Sequence, residues 1–183
     1  MKLLLIRHSI REINDESDCS ISMDGIKLID DRFQEIMNCC KFVNPVILSS
    51  PFKRTIDTAI CIASKINRKS NIIIEQLLHE TIYHSKMQEK LSDPLSRYID
   101  CKIETHDDIL NRSIQFLDKI KIKNNTDTIA ITHGGVINSI LSLVDPNHKS
   151  CFETDPDKYV PRYLDYVLLE YNDAKWIICY KNF

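Results

Sequence analysis

Glycine is scarce in this chain, with three residues in 183, alongside six prolines and one tryptophan. No repeat or low-complexity stretch appears, and the few glycines gain meaning from where they stand. Gly134 and Gly135 directly follow His133, and Gly25 opens a helical pattern. Basic runs are absent as well, and the formal net charge is -2, so the electrostatic footprint of general nucleic-acid binding is missing. No long apolar run exists. The stretch 3–6 is cut off by Arg7, well short of the roughly 7–15 apolar residues of a signal-peptide core, and nothing approaches the ~18 residues of a membrane span. The seven cysteines are odd in number and contain no CxxC, which argues against a disulfide framework and for reduced thiols. A cytoplasmic protein with no membrane and no nucleic-acid partner is expected. At 43% hydrophobic residues, 1–183 reads as one globular domain.

Strand and helix patterns alternate along the chain. Residues 2–6 form a continuous apolar run followed by polar residues, as in a strand buried on both faces. Ser22 can cap a helix whose apolar positions Ile26, Ile29, Phe33, Ile36, Met37 and Cys40 keep the helical period. Residues 46–49 read as a second buried strand. Ser50 and Pro51 then offer an N-cap and a first helical residue. A short strand is expected over 71–75, a helix over 108–121, a strand over 128–132 and a helix over 136–144. Strands over 166–171 and 175–180 should form a hairpin turning at Asn172-Asp173. The alternation predicts a three-layer α/β/α sandwich with a mostly parallel central sheet.

Three segments place a cation or an imidazole where a predicted strand ends: Arg7-His8, Lys53-Arg54 just beyond Ser49, and His133-Gly134-Gly135. In open α/β sheets ligands bind beyond the carboxyl ends of the strands, so these residues meet at one rim. Phosphoryl transfer needs cations on the equatorial oxygens, an in-line nucleophile and an acid for the leaving oxygen. Arg7 and Arg54 supply guanidinium forks. His8 can attack phosphorus as a nitrogen nucleophile. The glycines after His133, beginning with Gly134, let backbone amides approach an oxyanion at a helix N-terminus.

These residues resemble the histidine phosphatase superfamily, also called the phosphoglycerate mutase-like family. Arg7-His8 matches its Arg-His-Gly signature, with Asn14 in the place of the downstream asparagine, and Ser22-Met23-Asp24-Gly25 resembles its helix opening. Ser50-Pro51-Phe52-Lys53-Arg54 with Thr58-Ala59 resembles the segment of the second phosphate arginine. Leu78-His79-Glu80 resembles the segment of the general acid, and Thr132-His133-Gly134-Gly135 matches the second histidine. The resemblance implies a phosphoglycerate mutase-like fold with His8, Glu80 and His133 as catalytic residues and Arg7, Arg54, Asn14 and Gly134 on the phosphate. It implies a phosphatase that uses no metal and no cofactor and forms a phosphohistidine on His8. The substrate would be a small phosphorylated molecule or a phosphoprotein. A mutase-type phosphoryl transferase and a pseudophosphatase that only binds phosphorylated ligands are the alternatives.

The chain also departs from the pattern. Ser9 stands at the usual glycine and Arg11 at a position that is commonly Thr or Ser, so both are candidates for substrate specificity. Arg11 either reaches a second anionic group or pairs with Glu12, Asp15 or Glu16 on the surface. His79, His84 and His106 lack the spacing of a zinc motif and read as solvated loop histidines.

Overall fold

The computed structural model describes residues 1–13, 18–66, 71–80, 104–122, 126–148 and 160–183. Asn14, His84, Cys101 and Cys151 fall outside them. The strands are β1 (Lys2–Arg7), β2 (Val46–Ser49), β3 (Ile72–Ile74), β4 (Thr128–Thr132), β5 (Tyr166–Asn172) and β6 (Lys175–Lys181). The helices are α1 (Met23–Cys40), α2 (Lys53–Lys65), α3 (His106–Ile122) and α4 (Gly134–Val144), and a 3-10 turn spans Gln76–Leu78. One 6-stranded sheet runs in the order β3-β2-β4-β1-β5-β6. The strands β1 to β4 pair in parallel, and β5 and β6 add an antiparallel edge.

Pleating of β1 divides the core. Leu3 and Leu5 point to a cluster with Phe116, Leu117 and Ile120 of α3 and Val136, Ile137, Ile140 and Leu141 of α4. Leu4 and Ile6 point the other way, to Ile29 and Ile36 of α1 and Ala59, Ile62 and Ala63 of α2. All four β1 residues have no exposed surface, so each contributes on the order of 1.5–3 kcal/mol of apolar burial. This is the expected three-layer sandwich, with helices on both faces of a mostly parallel sheet. Among the described residues no helix is long and apolar enough to cross a membrane.

Several element ends differ from expectation. The second helix begins at Lys53, with Phe52 as its extended cap residue, and Pro51 stays outside it. The Ser50 hydroxyl bonds the His133 ring at 2.8 Å, while the Asp18 carboxylate accepts from Lys53 N–H at 2.6 Å. The hairpin turns at Asp173-Ala174, at φ 48 and 61, because Asn172 still pairs with Lys175. Such a positive-φ pair matches the twist of the flanking strands. The third helix starts at His106, with Thr105 and Asp108 each bonding the other's backbone N–H at 3.2 and 2.8 Å. The fourth starts two residues early, at Gly134.

The loop after β1 is clamped to α1. Ser22 Oγ caps Gly25 N–H at 3.1 Å, Ser22 N–H donates to Ile10 O at 2.9 Å, and Ser9 Oγ donates to Gly25 O at 2.7 Å. A Cβ on Gly25 would land on the Ile10 carbonyl. Gly25→Ala should therefore destabilise the protein by about 1–3 kcal/mol as overpacking, lowering Tm by roughly 2–4 °C per kcal/mol at this chain length. Thermal unfolding followed by circular dichroism checks this, and an unchanged Tm would show that the loop yields freely.

Candidate active site

Because β1 to β4 run in parallel, their carboxyl ends share one rim, and register holds the following residues level. His8 N–H donates to Thr132 O at 2.9 Å, Ser50 N–H to Ile131 O at 3.0 Å, and Glu75 N–H to Ser49 O at 2.8 Å. His8, Arg54, Glu80 and His133 thus leave four different strands and meet.

Arg54 lies in the first turn of α2 and is 4% exposed. Its Nε donates to His8 Nε2 at 3.2 Å, and its Nη2 lies 3.3 Å from Glu80 Oε2 and 3.4 Å from His133 Nδ1. Glu80 Oε2 is also 3.0 Å from His133 Nδ1. Phe52 supports the group, its ring 4.5 Å from the Arg54 guanidinium and 5.1 Å from the His133 ring.

The partners assign the tautomers. His8 Nδ1 faces the Ser9 carbonyl at 2.8 Å, an acceptor only, so Nδ1 carries the proton and Nε2 keeps its lone pair. His133 Nδ1 faces a carboxylate and donates to it, which leaves Nε2 to accept from the Ser50 hydroxyl at 2.8 Å. Both imidazoles are held neutral. Burial, then the repulsion that a protonated His8 would meet from a protonated His133 and from Arg54, keeps His8 well below the usual histidine range. Burial pushes His133 down to about 4, helped by Arg54 and opposed by Glu80. Burial raises the Glu80 carboxyl, yet the His133 and Arg54 contacts outweigh it and hold it below the usual carboxylate range.

Two histidines and a glutamate with donor atoms within 4.8 Å of one another also resemble the ligand set of a zinc enzyme. Here one guanidinium already touches all three.

Arg7 is placed differently from Arg54. Its guanidinium donates from Nη1 to Pro161 O and stacks 4.7 Å from the Tyr163 ring, and among the described residues it makes no hydrogen bond with the central four. Its Nε is buried without a partner, a condition rare enough in native proteins to need an explanation. A Cβ on Gly134 would lie 3.7 Å from that Nε and 3.1 Å from Val160, so the glycine permits the close approach. Tyr163 bridges the two parts of the rim, its ring 5.7 Å from that of His8. A groove of about 690 Å³ on the far side of Arg7 is lined by Arg32, Glu35, Asp165 and Tyr180 among others, but its Arg32 is already committed to Glu35 and Asp165.

Ser9 is fully buried and bonded to Thr58 and Gly25, so it anchors the loop instead of facing a substrate. Arg11 is exposed, forms no ion pair with Glu12 among the described residues, and lies near enough for its charge to act on Arg54. His79 is no solvated histidine: its Nδ1 donates to Glu80 O at 2.7 Å and its side chain is 14% exposed. The sequence reading missed Ser50, Phe52 and Tyr163. For Ser50 the signal is present in the sequence, since a hydroxyl beside the arginine segment can bond an imidazole as well as cap a helix.

The family model of the histidine phosphatase superfamily (branch 1) matches residues 3–178. The chain belongs to this superfamily. No curated protein matches its sequence. Among solved structures, a mutant phosphoserine phosphatase from Entamoeba histolytica in complex with phosphoserine is similar at TM-score 0.70 and 20% identity, over 99% of this chain and 96% of that one. The mycobacterial glucosyl-3-phosphoglycerate phosphatase is similar at TM-score 0.70 and 16% identity, over 97% and 96%. At these identities the likeness is one of fold.

The depressed imidazoles set a pH dependence of stability. Between pH 6.5 and about 4 the unfolded chain binds a proton at position 133 that the folded protein refuses, so folding stability falls as pH falls through that window. His8 and, below the ordinary glutamate range, Glu80 act in the same direction. Urea midpoints measured from pH 7 to 4 should decline, and His133→Gln should decline less steeply. An identical slope in the variant would mean that His133 titrates normally.

Proposed function

We propose that the protein is a metal-independent phosphatase that hydrolyses phosphomonoesters through a phosphohistidine on His8. The observation that carries this reading is the convergence of His8 Nε2, His133 Nδ1 and Glu80 Oε2 on the buried Arg54 guanidinium. The unpartnered Arg7 Nε supports it as a second donor for an anion, as do the phosphatase activities named for the similar structures.

The chemistry follows from the contacts. A phosphoryl dianion entering beside His8 exchanges the Arg54–Glu80 ion pair for bonds from Arg54 to its own oxygens. Glu80, relieved of its cation and facing a dianion, takes up a proton. His8 Nε2 attacks phosphorus; the N–P bond forms as the ester P–O bond breaks, and the leaving oxygen takes the Glu80 proton. Arg54, Arg7 and the His133 Nδ1–H hold the transferring oxygens. Water then attacks phosphorus, gives its proton to Glu80, and phosphate leaves as the His8 lone pair is restored.

With excess EDTA present, labelled substrate quenched at alkaline pH should leave an acid-labile, base-stable phosphoramidate on His8, and His8→Ala should lose both label and turnover. Near wild-type turnover in His8→Ala would refute the mechanism, and dependence on an added metal ion would refute its metal independence.

Arg11 gives the proposed site a preference for substrates with a second anion. Arg11→Ala should lower kcat/KM on 3-phosphoglycerate by about tenfold, within the range of one charge-assisted hydrogen bond, while glycerol 3-phosphate changes less than about twofold. Equal changes on both would reduce Arg11 to a surface charge, whose pairing is usually worth at most about 1 kcal/mol.

A further inference from the structure

The segment that carries Glu80 is short, and its carbonyls are held by side chains from other elements. Arg112 of α3 is 8% exposed. Its Nε and Nη2 form a fork on Glu104, at 2.8 Å to Oε1 and 2.9 Å to Oε2. Its remaining arm reaches away from that pair, and Nη1 donates to Leu77 O at 2.8 Å and to His79 O at 3.0 Å. The carbonyl between them, of Leu78, accepts from Thr132 Oγ1 at 2.8 Å. The next, of Glu80 itself, accepts from His79 Nδ1 at 2.7 Å, and the same imidazole lies 3.8 Å from Glu104. Successive carbonyls from Leu77 to Glu80 are thus fixed by α3, by β4 and by one histidine.

Thr132 immediately precedes His133, so β4 positions the His133 imidazole and braces the Glu80 segment at once. Arg112 is the matching brace on the helix side. A guanidinium suits this place because its planar fork satisfies a carboxylate with two arms and still presents a donor to the backbone. A lysine ammonium is a single point and cannot span the Glu104 carboxylate and both carbonyls. The bidentate pair with Glu104 holds the guanidinium plane, and that plane sets where Nη1 points.

We propose that Arg112, oriented by Glu104, is a positioning residue for the general acid: it fixes the backbone of the Leu77–Glu80 segment so that the Glu80 carboxyl meets the leaving-group oxygen. This rests on the reading of Glu80 as the acid. Arg112 touches neither substrate nor the reacting atoms, and it acts only through the carbonyls that flank Glu80.

Two esters separate positioning from general support of the fold. Glycerol 2-phosphate has a poor aliphatic leaving group that needs the acid, and p-nitrophenyl phosphate has an activated one that does not. As reference, Glu80→Gln should slow kcat on glycerol 2-phosphate by roughly 10² to 10⁴ and spare p-nitrophenyl phosphate. Arg112→Lys should slow glycerol 2-phosphate by about tenfold or more, up to the roughly 10²-fold that a displacement near 1 Å can cost, with p-nitrophenyl phosphate changed less than about threefold. Glu104→Gln, a milder change that keeps an acceptor for Arg112, should show the same split in smaller degree and decides the matter if Arg112→Lys does not fold. The double variant Glu80→Gln/Arg112→Lys should be no slower on glycerol 2-phosphate than Glu80→Gln alone, because residues acting through one group are not additive.

Equal losses on both esters, or additive losses in the double variant, would overturn the proposal and leave Arg112 a structural ion pair. If Glu80→Gln shows the split and neither Arg112→Lys nor Glu104→Gln does, positioning by Arg112 fails while the acid remains. Absence of the split in Glu80→Gln itself would remove the acid reading and the proposal with it.

Discussion

A buried guanidinium must be paired, because a charge taken out of water without compensation costs several kcal/mol or more. Arg54 meets that demand with the His8 imidazole and the Glu80 carboxylate, with the His133 ring beside them, and each of those groups is in turn fixed by something else. Ser9 O holds His8, Ser50 Oγ holds His133, and the Leu77–Glu80 segment is braced from α3 and β4. Remove the guanidinium and three polar groups lose a common centre. The cation also explains why the site is built where it is: α2 begins just beyond β2, so the first turn of the helix carries Arg54 to the rim where the neighbouring parallel strands end.

The layers of the fold were legible because each rests on local pattern. The apolar run of β1 and its continuation in β2 and β4, and the 3.6-residue spacing in α1 from Ile29 to Cys40, are properties of neighbouring residues. His8, Arg54 and His133 were legible for a related reason, since each sits beside a strand end that the pattern already located. What stayed hidden depends on contacts across the chain. Ser50 could cap a helix or bond an imidazole, and only the arrival of His133, 83 residues later, decides for the imidazole. Tyr163 gives no signal in its own stretch, because its meaning comes from its contacts with Arg7 and His8. Arg112 carries no signal of its own in the sequence; the Leu77 and His79 carbonyls that give it purpose are 35 and 33 residues away. His79 differs from its expected place in solvent for the same reason, since the Glu104 carboxylate beside it comes from 25 residues further along the chain.

The two sides of the rim are made by different means. On the Arg54 side, charged and aromatic groups are packed so closely that hydrogen-bond geometry alone assigns each imidazole tautomer. On the Arg7 side, backbone shape carries more of the load. Leu164 adopts a left-handed φ of 58 although it is not glycine and is fully buried, a conformation that costs on the order of 1–3 kcal/mol. Its N–H donates to Arg7 O at 3.2 Å, while Arg7 N–H donates to Asp165 O at 2.9 Å. The strained residue therefore sits between the aromatic ring over Arg7 and the strand that pairs with β1, and the pairing compensates the strain.

The order of strands has a consequence for biosynthesis. Among the described strands β1 is made before the other five, and its residues Leu3 to Ile6 end with no exposure at all. Its partners are β4 and β5, which lie more than a hundred residues further on. Both edges of β1 are unpaired until β4 has emerged, and the edge that meets β5 stays open until residues beyond 165 follow. Pairings of such long range are slow to close and leave sticky intermediates, so a growing chain of this design depends on α1 and α2, which are made earlier, to cover one face of β1. Removal of β5 would then act first as a folding defect at β1, and loss of chemistry at the rim would follow from it.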